Sequence, residues 1–337
     1  MTPESEIPTP TRLFQTLNAY QQSAALRGAI ELELFTAIAE GHKTTAELAQ
    51  RCVASERGLR ILCNTLVVYG FLTKHDNGYS LSAESAPFLD RRSPAYLGGV
   101  VRFLLSPTLT RPCEDVAALV RRGSTTLTGE GAVDAENPLW VDFARGMGAL
   151  MRLPAQRLVG FTGLGSGPAK LLDLAAGHGL FGITCAEQHP DLEVYAVDWP
   201  AVLAVAEENA RLAGVQSRFH KLPGSAFEIE FGSGYEVILL TNFLHHFDPP
   251  TNTRLLQKIA AALAPGGRLL TLEVIPNPDR VSPPHAVTFA LQMLASTPAG
   301  DAYTFAELEH MLRGAGFTHN ELHDWSPMLN NLIVSTR

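Results

Sequence analysis

The sequence has few cysteines, few charges and no long hydrophobic run, and each shortage argues against a class of protein. The four cysteines among the 337 residues form no Cys-x-x-Cys pair, so neither a disulfide framework nor a zinc ribbon is indicated. No stretch approaches the roughly 18 consecutive apolar residues of a membrane span, and the polar, acidic start at residues 1–6 argues against a signal peptide. With 46% apolar residues, the chain is too hydrophobic to be disordered. We expect a cytoplasmic protein of two domains, with no membrane partner.

Positive charge is also scarce, and the shortage lies in the C-terminal half. Lys and Arg together number 26, against 34 Asp and Glu. Residues 1–105 hold 10 of each sign and residues 106–165 hold 6 of each, whereas residues 166–337 hold 10 basic and 18 acidic residues. Because an acidic domain repels phosphate backbones, no nucleic-acid partner is expected.

Residues 1–105 are predicted to form a mainly α domain with a winged-helix arrangement. Apolar residues at helical spacing indicate short helices. Two short strands follow, Phe71–Lys74 and Tyr79–Ser82, and the Asn77-Gly78 pair between them is a strong hairpin signal. A winged helix can bind DNA, but this segment has no net positive charge, and its third helix is apolar where a reading helix would show Arg, Asn or Gln. Packing and dimerisation are the preferred role.

Residues 106–165 are predicted to form a helical connector, and residues 166–337 an α/β domain. In the connector, Phe143, Met147 and Met151 recur every four residues, a stripe found more often in a core than in a ligand pocket. After a glycine-rich hinge, near-continuous apolar strands alternate with helices, which indicates a mostly parallel sheet with both faces covered and an antiparallel edge. The predicted strands are Lys170–Ala175, Glu193–Asp198, Gln216–Leu222, Tyr235–Asn242, Arg268–Ile275, Phe317–His323 and Leu329–Ser335. The predicted helices are Gly179–His189, Pro200–Ala213, Pro250–Leu263 and Thr304–Ala315.

The strongest local motif is a strand that runs into a glycine turn and then a helix, at residues 171–182. Gly177, Gly179 and Gly182 would let the backbone approach a ligand, and the helix N-terminus presents free N–H groups. The spacing alone does not separate cofactor classes, because nicotinamide enzymes share it. Asp173, four residues before Gly177, suits a ligand that carries a cation, such as the amino-acid end of S-adenosylmethionine, better than a pyrophosphate. The alternative is that Asp173 only caps the following turn.

Asp198 ends the next predicted strand, 21 residues after Gly177. A carboxylate at that point can accept hydrogen bonds from both hydroxyls of a ribose, and Trp199 can pack against an adenine. Asp198 is alternatively only the N-cap of the helix that Pro200 begins. Three further segments complete the set: Gly224–Phe227 and Asn242–Asp248 after two strands, and the turn Pro265–Gly267 before the fifth strand.

These motifs, in this order, resemble the class I S-adenosylmethionine-dependent methyltransferases. Over roughly residues 11–336, the chain is similar to the small-molecule O-methyltransferases of plant-phenolic and acetylserotonin type, which have bacterial members. The resemblance implies a homodimer through the N-terminal domain, a Rossmann-like domain that binds S-adenosylmethionine, and a flat, largely apolar acceptor. It implies no metal. The residues implied at the cofactor are Asp173, Ala175, Gly177, Gly179, Asp198, Trp199, Ser225, Ala226, Phe227 and Asn242, and those at the acceptor are Phe143, Met147 and Met293.

The resemblance also implies that His245, within the segment Leu244–Phe247, is the catalytic base. A histidine with a pKa near 6.5 can remove a hydroxyl proton. Because neighbouring side chains on an extended segment point to opposite sides, only His245, and not His246, is expected to face the methyl donor. Glu273, 28 residues later, matches the acid that orients the base in this family. A carboxylate on an otherwise apolar strand is costly unless it is paired, which supports that assignment independently.

Three positions depart from the family pattern. Ala302 stands where many members carry a second acid beside the base, Ser225 where many carry an Asp that reads the adenine, and Ala175-Ala176 where the family has glycines. The missing acid leaves open a related enzyme that methylates carbon or nitrogen, or one that does not methylate. A nicotinamide dehydrogenase is a remote alternative, because it would need a further substrate domain after the nucleotide fold.

Overall fold

The computed structural model describes residues 9–337, which form two compact units. The first unit extends to Val101, and the second comprises Arg102–Arg337. The polar start at residues 1–6 lies outside the described residues.

The first unit contains short helices and the predicted hairpin. Thr44 and Glu47 form a capping box that starts one helix: the Thr44 side chain accepts the Glu47 N–H, and the Glu47 carboxylate accepts the Thr44 N–H. The hairpin loop consists of Asp76 and Asn77, because His75 pairs with Gly78, so each strand is displaced by one residue from its predicted position. The elements are α1 (Thr11–Leu17), α2 (Tyr20–Glu31), α3 (Leu34–Ala39), α4 (Thr45–Arg51), α5 (Glu56–Val68), β1 (Leu72–His75), β2 (Gly78–Leu81) and α6 (Ser85–Leu89); α7 (Val100–Leu104) contains the boundary between the units.

The second unit begins with a helical segment and continues as alternating strands and helices. The helical segment comprises α8 (Pro107–Thr110), α9 (Val116–Arg122) and the long α10 (Leu139–Val159). The strands that follow are β3 (Ala169–Leu174), β4 (Leu192–Asp198), β5 (Phe219–Pro223), β6 (Tyr235–Thr241), β7 (Leu263–Glu273), β8 (His319–His323) and β9 (Asn331–Thr336). The helices among them are α11 (Leu180–Gln188), α12 (Pro200–Leu212), α13 (Pro249–Ala262), α14 (Pro284–Ser296) and α15 (Phe305–Gly314).

The seven strands form one sheet in the order β5-β4-β3-β6-β7-β9-β8. The first five are parallel, and β9 runs antiparallel to both β7 and β8. The predicted α/β class with a mostly parallel seven-stranded sheet is confirmed, and the reversed strand lies one position in from the edge. The chain order reverses between β3 and β6, and ligands bind beyond the carboxyl ends of strands at such a switch point.

Apolar residues cover both faces of this sheet, as the near-continuous apolar strands predict. On one face, Leu158 of α10, Phe181 of α11 and Leu203 of α12 belong to one buried cluster. On the other face, Leu256 of α13 and Leu308 of α15 belong to a second. The strands are thereby fixed from both sides, so their carboxyl ends form a rigid rim.

Two local predictions were displaced, and one helix was missed. Gln216–Arg218 form a 3-10 turn, so β5 starts only at Phe219. Pro265–Gly267 do not precede the fifth strand of the sheet but lie inside β7, where the pairing with β6 is irregular and Gly266 has a φ of +77°. Helix α14 was not predicted, because its sequence is apolar almost throughout and shows no amphipathic stripe.

Candidate active site

The segment after β6 forms a short 3-10 turn, Leu244–His246, at the switch point of the sheet. Asn242 precedes it with a φ of +56°, and its N–H donates to the Leu272 carbonyl at 2.7 Å. The expectation that His245 and His246 point to opposite sides of an extended strand is therefore wrong. A 3-10 turn separates consecutive side chains by about 120°, and both imidazoles line the same cavity, with ring centroids 4.2 Å apart.

The two histidines differ in their partners. The Nδ1 atom of His245 lies 2.6 Å from a carboxylate oxygen of Glu273, at the end of the adjacent strand β7. The other oxygen of Glu273 accepts the N–H groups of Phe243 and Leu244, at 2.9 and 2.7 Å. Glu273 is 2% exposed, and among the described residues these three donors are its hydrogen-bond partners. A carboxylate at Nδ1 fixes the proton on that nitrogen and leaves Nε2 as the acceptor.

His246 is buried without such a partner. Its Nδ1 has no hydrogen bond to any described residue, and its ring packs edge-on against Trp140 at 5.2 Å. Burial, together with the neighbouring His245, holds the pKa of His246 well below its usual range. His246 is therefore a neutral group at the cavity wall.

Several side chains and backbone groups hold the 3-10 turn Leu244–His246 in place. Asn252 is fully buried, and its Nδ2 donates to the carbonyls of Leu244 and Phe247, at 2.8 and 3.1 Å. The Tyr303 hydroxyl donates to the Phe247 carbonyl at 2.6 Å, and the Asp301 N–H donates to the His245 carbonyl at 3.0 Å. Together with Glu273 of β7, hydrogen bonds from α13 and from residues 301–303 thus hold the segment that carries His245.

The side chains around Ala302 do not supply a second acid to the base. Ala302 is buried, and the carboxylate of Asp301 lies 3.8 Å from the guanidinium of Arg280, in an exposed pair. Among the described residues, Glu273 is the acid that contacts His245.

The glycine turn after β3 approaches the cavity through two of its predicted residues. Ala175 and Gly177 line the cavity, with φ values of +53° and +55°. The left-handed conformation at Ala175 is unusual for a residue with a side chain. Gly179 does not line the cavity; a Cβ there would lie 2.9 Å from the Cβ of Ala206, so this glycine permits close packing of α11 on α12.

Asp173 lies beneath the glycine turn rather than at the cavity. Its carboxylate is fully buried, and one oxygen accepts the Gly182 N–H at 3.1 Å, while the other has no partner among the described residues. Burial raises the pKa of Asp173 to about 8, against the opposing effect of that hydrogen bond. Its contact with the first turn of α11 matches the capping alternative that the sequence left open.

Asp198 lines the cavity at the end of β4. Its two oxygens accept the N–H groups of Gly177 and Trp199, at 2.8 and 2.7 Å. Burial raises the pKa of Asp198 to about 6, although both hydrogen bonds lower it. A half-buried carboxylate that accepts two N–H groups keeps lone pairs for the two hydroxyls of a ribose.

One cavity of about 410 Å³ connects these groups. Asp198, Trp199 and Ser225–Phe227 line it, as do Asn242 and His245. The predicted acceptor residues Phe143, Met147 and Met293 line it as well. Every predicted site residue except Asp173, Gly179 and Glu273 therefore lines this cavity. Glu273 does not line it but contacts His245, which does.

Aromatic residues that the sequence did not single out form much of the remaining wall. Trp140 and Phe103 pack against Phe143 with ring centroids 5.8 and 5.1 Å away. Trp140 lies one helical turn before Phe143, so the stripe itself could have identified it. Phe289 packs edge-on against His245 at 4.8 Å; it lies on α14, whose prediction failed. No Lys or Arg of the described chain lines this cavity.

The cavity fits S-adenosylmethionine by the chemistry of its donor set. It has a half-buried carboxylate with free lone pairs for a ribose and aromatic surfaces for an adenine, and His245 lines the same cavity. Residues 9–337 contain no cluster of His, Cys, Asp and Glu that could hold a metal ion. No helix in the same range is long and apolar enough to cross a membrane.

Sequence comparisons place this arrangement in a known family. Residues 129–318 match the model of an O-methyltransferase domain, and residues 14–91 match that of an O-methyltransferase dimerisation domain. The chain is 30% identical to the 3-hydroxy-5-methyl-1-naphthoate 3-O-methyltransferase of Streptomyces sahachiroi, over 97% of this chain and 95% of that one. It is also 30% identical, over 60% of this chain and 56% of that one, to an L-tyrosine C(3)-methyltransferase of Streptomyces lavendulae.

Solved structures agree with the sequence comparisons. A candidate O-methyltransferase from Nostoc punctiforme is 48% identical and superposes with a TM-score of 0.95, over 98% of this chain and 100% of that one. Human N-acetylserotonin methyltransferase, solved with S-adenosylmethionine, superposes with a TM-score of 0.83 at 21% identity, over 99% of each chain, and so shares the fold. The chain belongs to the family of S-adenosylmethionine-dependent O-methyltransferases with an N-terminal dimerisation domain.

Proposed function

We propose that this enzyme methylates a hydroxyl group of a flat, uncharged aromatic small molecule, with His245 as the general base. The observation that carries the proposal is the buried pair of His245 and Glu273 at the wall of an otherwise mostly apolar cavity. The pair leaves Nε2 of His245 as the ring nitrogen able to take a proton from an acceptor in the cavity.

The residues that would hold the cofactor lie on one side of His245. Asp198 would accept the ribose hydroxyls, and the cavity-facing glycine turn donates the Gly177 N–H to it. Trp199 and the loop Ser225–Phe227 would enclose the adenine, and Asn242 lines the same cavity. S-adenosylmethionine, when bound, supplies a methyl carbon activated by a sulfonium that leaves as a neutral thioether.

His245 positions the acceptor and removes its proton. The acceptor hydroxyl would donate a hydrogen bond to Nε2, and that nitrogen would take the proton that the hydroxyl loses when it is methylated. Glu273 holds the ring orientation and compensates the charge of the imidazolium that results. Proton removal of this kind accelerates a reaction about 10²–10⁴-fold, and holding the oxygen in line with the methyl group contributes further.

The walls of the cavity support an uncharged aromatic acceptor. Phe143, Met147 and Met293 offer flat and polarisable surfaces. The charged side chains near the acceptor are acidic, because no Lys or Arg of the described chain lines the cavity. A carboxylate of the acceptor would find no Lys or Arg partner in this cavity, and burying it without one is costly. We therefore expect a neutral acceptor, unlike the naphthoate named for the Streptomyces sahachiroi relative.

Carbon methylation of a phenol is the second candidate. It is favoured by the L-tyrosine C(3)-methyltransferase relative and by Ala302, which leaves the base with one acid partner instead of two. Removing the proton of a phenol raises the electron density on its ring carbons as well as on oxygen. The same pair of residues would therefore serve both reactions, and the tilt of the acceptor would decide between them.

Product analysis with methyl-labelled cofactor tests both candidates. The protein is incubated with carbon-13-methyl S-adenosylmethionine and a panel of naphthols and hydroxyquinones, each paired with a carboxylated analogue. The labelled methyl resonance of the product is then recorded by NMR. We expect an O–CH₃ resonance from neutral members of the panel. A C–CH₃ resonance selects the second candidate, and transfer only to carboxylated acceptors contradicts the neutral-acceptor proposal.

We also propose three segments with separate roles. Residues 1–105 form the dimerisation domain of a homodimer, residues 106–165 contribute to the acceptor pocket, and residues 166–337 bind the cofactor. The matched dimerisation model at residues 14–91 supports the first role. Phe143 and Met147 of α10, both at the cavity, support the second.

A further inference from the structure

The ammonium group of Lys258, on α13, lies where three backbone carbonyls converge. Its Nζ donates to the carbonyls of Ala226 and Phe227, at 3.3 Å each, and to that of Ile229. The same nitrogen lies 4.5 Å from the centre of the Phe231 ring, within the range of a cation–π interaction. All three protons of the ammonium are thus engaged by the segment that joins β5 to β6.

That segment forms a single helical turn. The Ser225 carbonyl accepts the N–H groups of Glu228 and Ile229, both at 3.0 Å, and the Ser225 hydroxyl accepts the Phe227 N–H at 3.3 Å. The last carbonyls of such a turn have no partner within it. A cation at that end is favourable, because the peptide dipoles leave partial negative charge there. Lys258 therefore completes the turn from outside.

The turn is part of the cavity wall. Ser225, Ala226 and Phe227 line the cavity next to Asp198, and two of the three carbonyls that Lys258 binds belong to these residues. The other face of the turn is closed by packing: a Cβ at Gly224 would collide with the side chain of Ile229. The turn lies between two strands that do not pair with each other, and its Phe227 ring packs against those of Phe243 and Phe247, with centroids 6.0 and 4.9 Å away.

We infer that Lys258 is a positioning residue for the cofactor: its ammonium group holds the Ser225–Phe227 turn in the conformation that encloses the adenine. Lys258 itself does not line the cavity. The inference rests on the proposed placement of the adenine at this turn. It assigns a function to a lysine that belongs to none of the motifs of the sequence.

A graded set of substitutions tests this inference. K258M keeps the length and packing of the side chain without its charge, K258Q keeps two N–H donors, and K258R keeps the charge. The matched control is K221M, because Lys221 lies on β5, just before the turn, and pairs with Glu207 on the surface. Isothermal titration with S-adenosylhomocysteine gives the dissociation constant of each variant, and thermal unfolding without ligand gives its stability.

We expect K258M to weaken S-adenosylhomocysteine binding about tenfold, since hydrogen bonds to a charged group are lost from the turn. K258Q should be intermediate, K258R should recover most of the affinity, and K221M should match the wild type. If K258M binds like the wild type, or if K258R is as weak as K258M, Lys258 does not position the turn. A K258M variant that loses thermal stability but not affinity leads to the same conclusion. If the wild type itself does not bind, the cofactor placement fails, and this inference fails with it.

Discussion

The two adjacent histidines show how the environment of a residue decides its chemistry. His245 and His246 line the same cavity, but only His245 has a carboxylate at its Nδ1. His246 is held neutral by burial, so it contributes shape and a neutral polar surface. The difference comes from Glu273, which accepts hydrogen bonds from Phe243, Leu244 and His245 but not from His246.

Substituting Glu273 by Gln should prevent His245 from acting as a base, while a side chain of similar size remains at position 273. The amide oxygen of Gln still accepts the N–H groups of Phe243 and Leu244, but its NH₂ group donates to Nδ1 of His245. The ring proton then moves to Nε2, which can no longer accept one. We expect kcat to fall about 10²–10⁴-fold, with the affinity for S-adenosylhomocysteine unchanged. The control is E193Q, which breaks the exposed pair of Glu193 and His220. Equal kcat values for E273Q and wild type would show that the tautomer of His245 is irrelevant.

Asp173 should make the stability of the protein depend on pH. Its pKa is raised by burial to about 8, from 3.8 in the unfolded chain. Between these values the folded protein holds a proton that the unfolded chain does not, so stability falls as the pH rises from about 4 to about 8 and levels off above that. We expect the free energy of unfolding of the ligand-free protein to fall by about 1 kcal/mol between about pH 7 and 9. D173N should lack this decrease. Denaturant titrations that give the same pH dependence for both proteins contradict a protonated Asp173.

Residue types and spacing predict which residues are candidates for the site. They do not predict the direction in which each side chain points. Asp198 and His245 were predicted at the cavity, and both line it. Asp173 carries an equally suggestive motif, yet its carboxylate faces α11. The pairing of β3 with β4 and β6 determines on which face of the sheet that side chain lies, and such pairing is a long-range property.

At the scale of elements, the conformation of the 3-10 turn Leu244–His246 depends on Gly300, which lies in a distant segment of the chain. A Cβ at Gly300 would overlap the carbonyl oxygen of His245 and lie 2.6 Å from the Thr297 hydroxyl and 2.9 Å from the carbonyl carbon of His246. The segment that carries Gly300 also donates the Asp301 N–H to His245. Close approach of the two backbones is therefore part of the active-site architecture.

Substituting Gly300 by Ala should displace this turn. We expect kcat to fall by at least about tenfold, since a displacement of about 1 Å at the reacting groups is costly, while S-adenosylhomocysteine binding changes little. The control is G314A in α15, where a Cβ would meet only a methyl carbon of Thr253, at 3.5 Å. Steady-state kinetics and isothermal titration of both variants provide the comparison. Wild-type kcat in G300A would mean that the contact is not needed.

The elements that could be predicted are those with a start signal or a clear period. Helix α13 begins at Pro249 with Asp248 as its N-cap, and α15 begins with a capping box at Thr304; both were predicted to within one residue of their starts. Helix α14 has no side-chain cap and is apolar on most sides, so neither signal was present. It nevertheless supplies Phe289 and Met293 to the cavity. The irregular start of β7 was missed because proline and glycine normally indicate a turn.

At the scale of the whole molecule, α1 presents an apolar face that nothing in the described part of the chain covers. Leu13, Phe14 and Leu17 of α1 and the nearby Tyr20 are each between 58% and 69% exposed, and α1 has no buried residue. Three of the four lie within the matched dimerisation domain. A second copy of this chain is the proposed occupant of that face.

Introducing charged residues on α1 should therefore dissociate the proposed homodimer into monomers. We expect the wild type to sediment as a dimer, and the double variant L13E/L17E as a monomer or a much weaker dimer, because burying two carboxylates without partners is costly. The control is L212E, since Leu212 is 70% exposed at the end of α12, in the second unit. Sedimentation velocity over a range of concentrations measures all three. A dimeric double variant would show that α1 is not in the interface.

At this scale, the acidic excess found in the sequence can be assigned to a place in the structure. The acidic excess of residues 166–337 includes Asp198 at the cavity and Glu273 behind His245. No Lys or Arg of the described chain lines the cavity, which supports the proposal of a cationic cofactor beside a neutral acceptor. Counting charges along the sequence predicted the acidic domain, but the sheet order was needed to bring these carboxylates to one rim.

The rate of methyl transfer by H245Q is the most direct test of the central claim, that His245 removes the acceptor proton. Gln fills similar space and can hold a hydrogen bond, but it cannot take a proton. With the best acceptor from the labelled-product experiment, single-turnover transfer should be about 10²–10⁴-fold slower than in the wild type, with S-adenosylhomocysteine bound equally well. Transfer at the wild-type rate would contradict the assignment of His245 as the base.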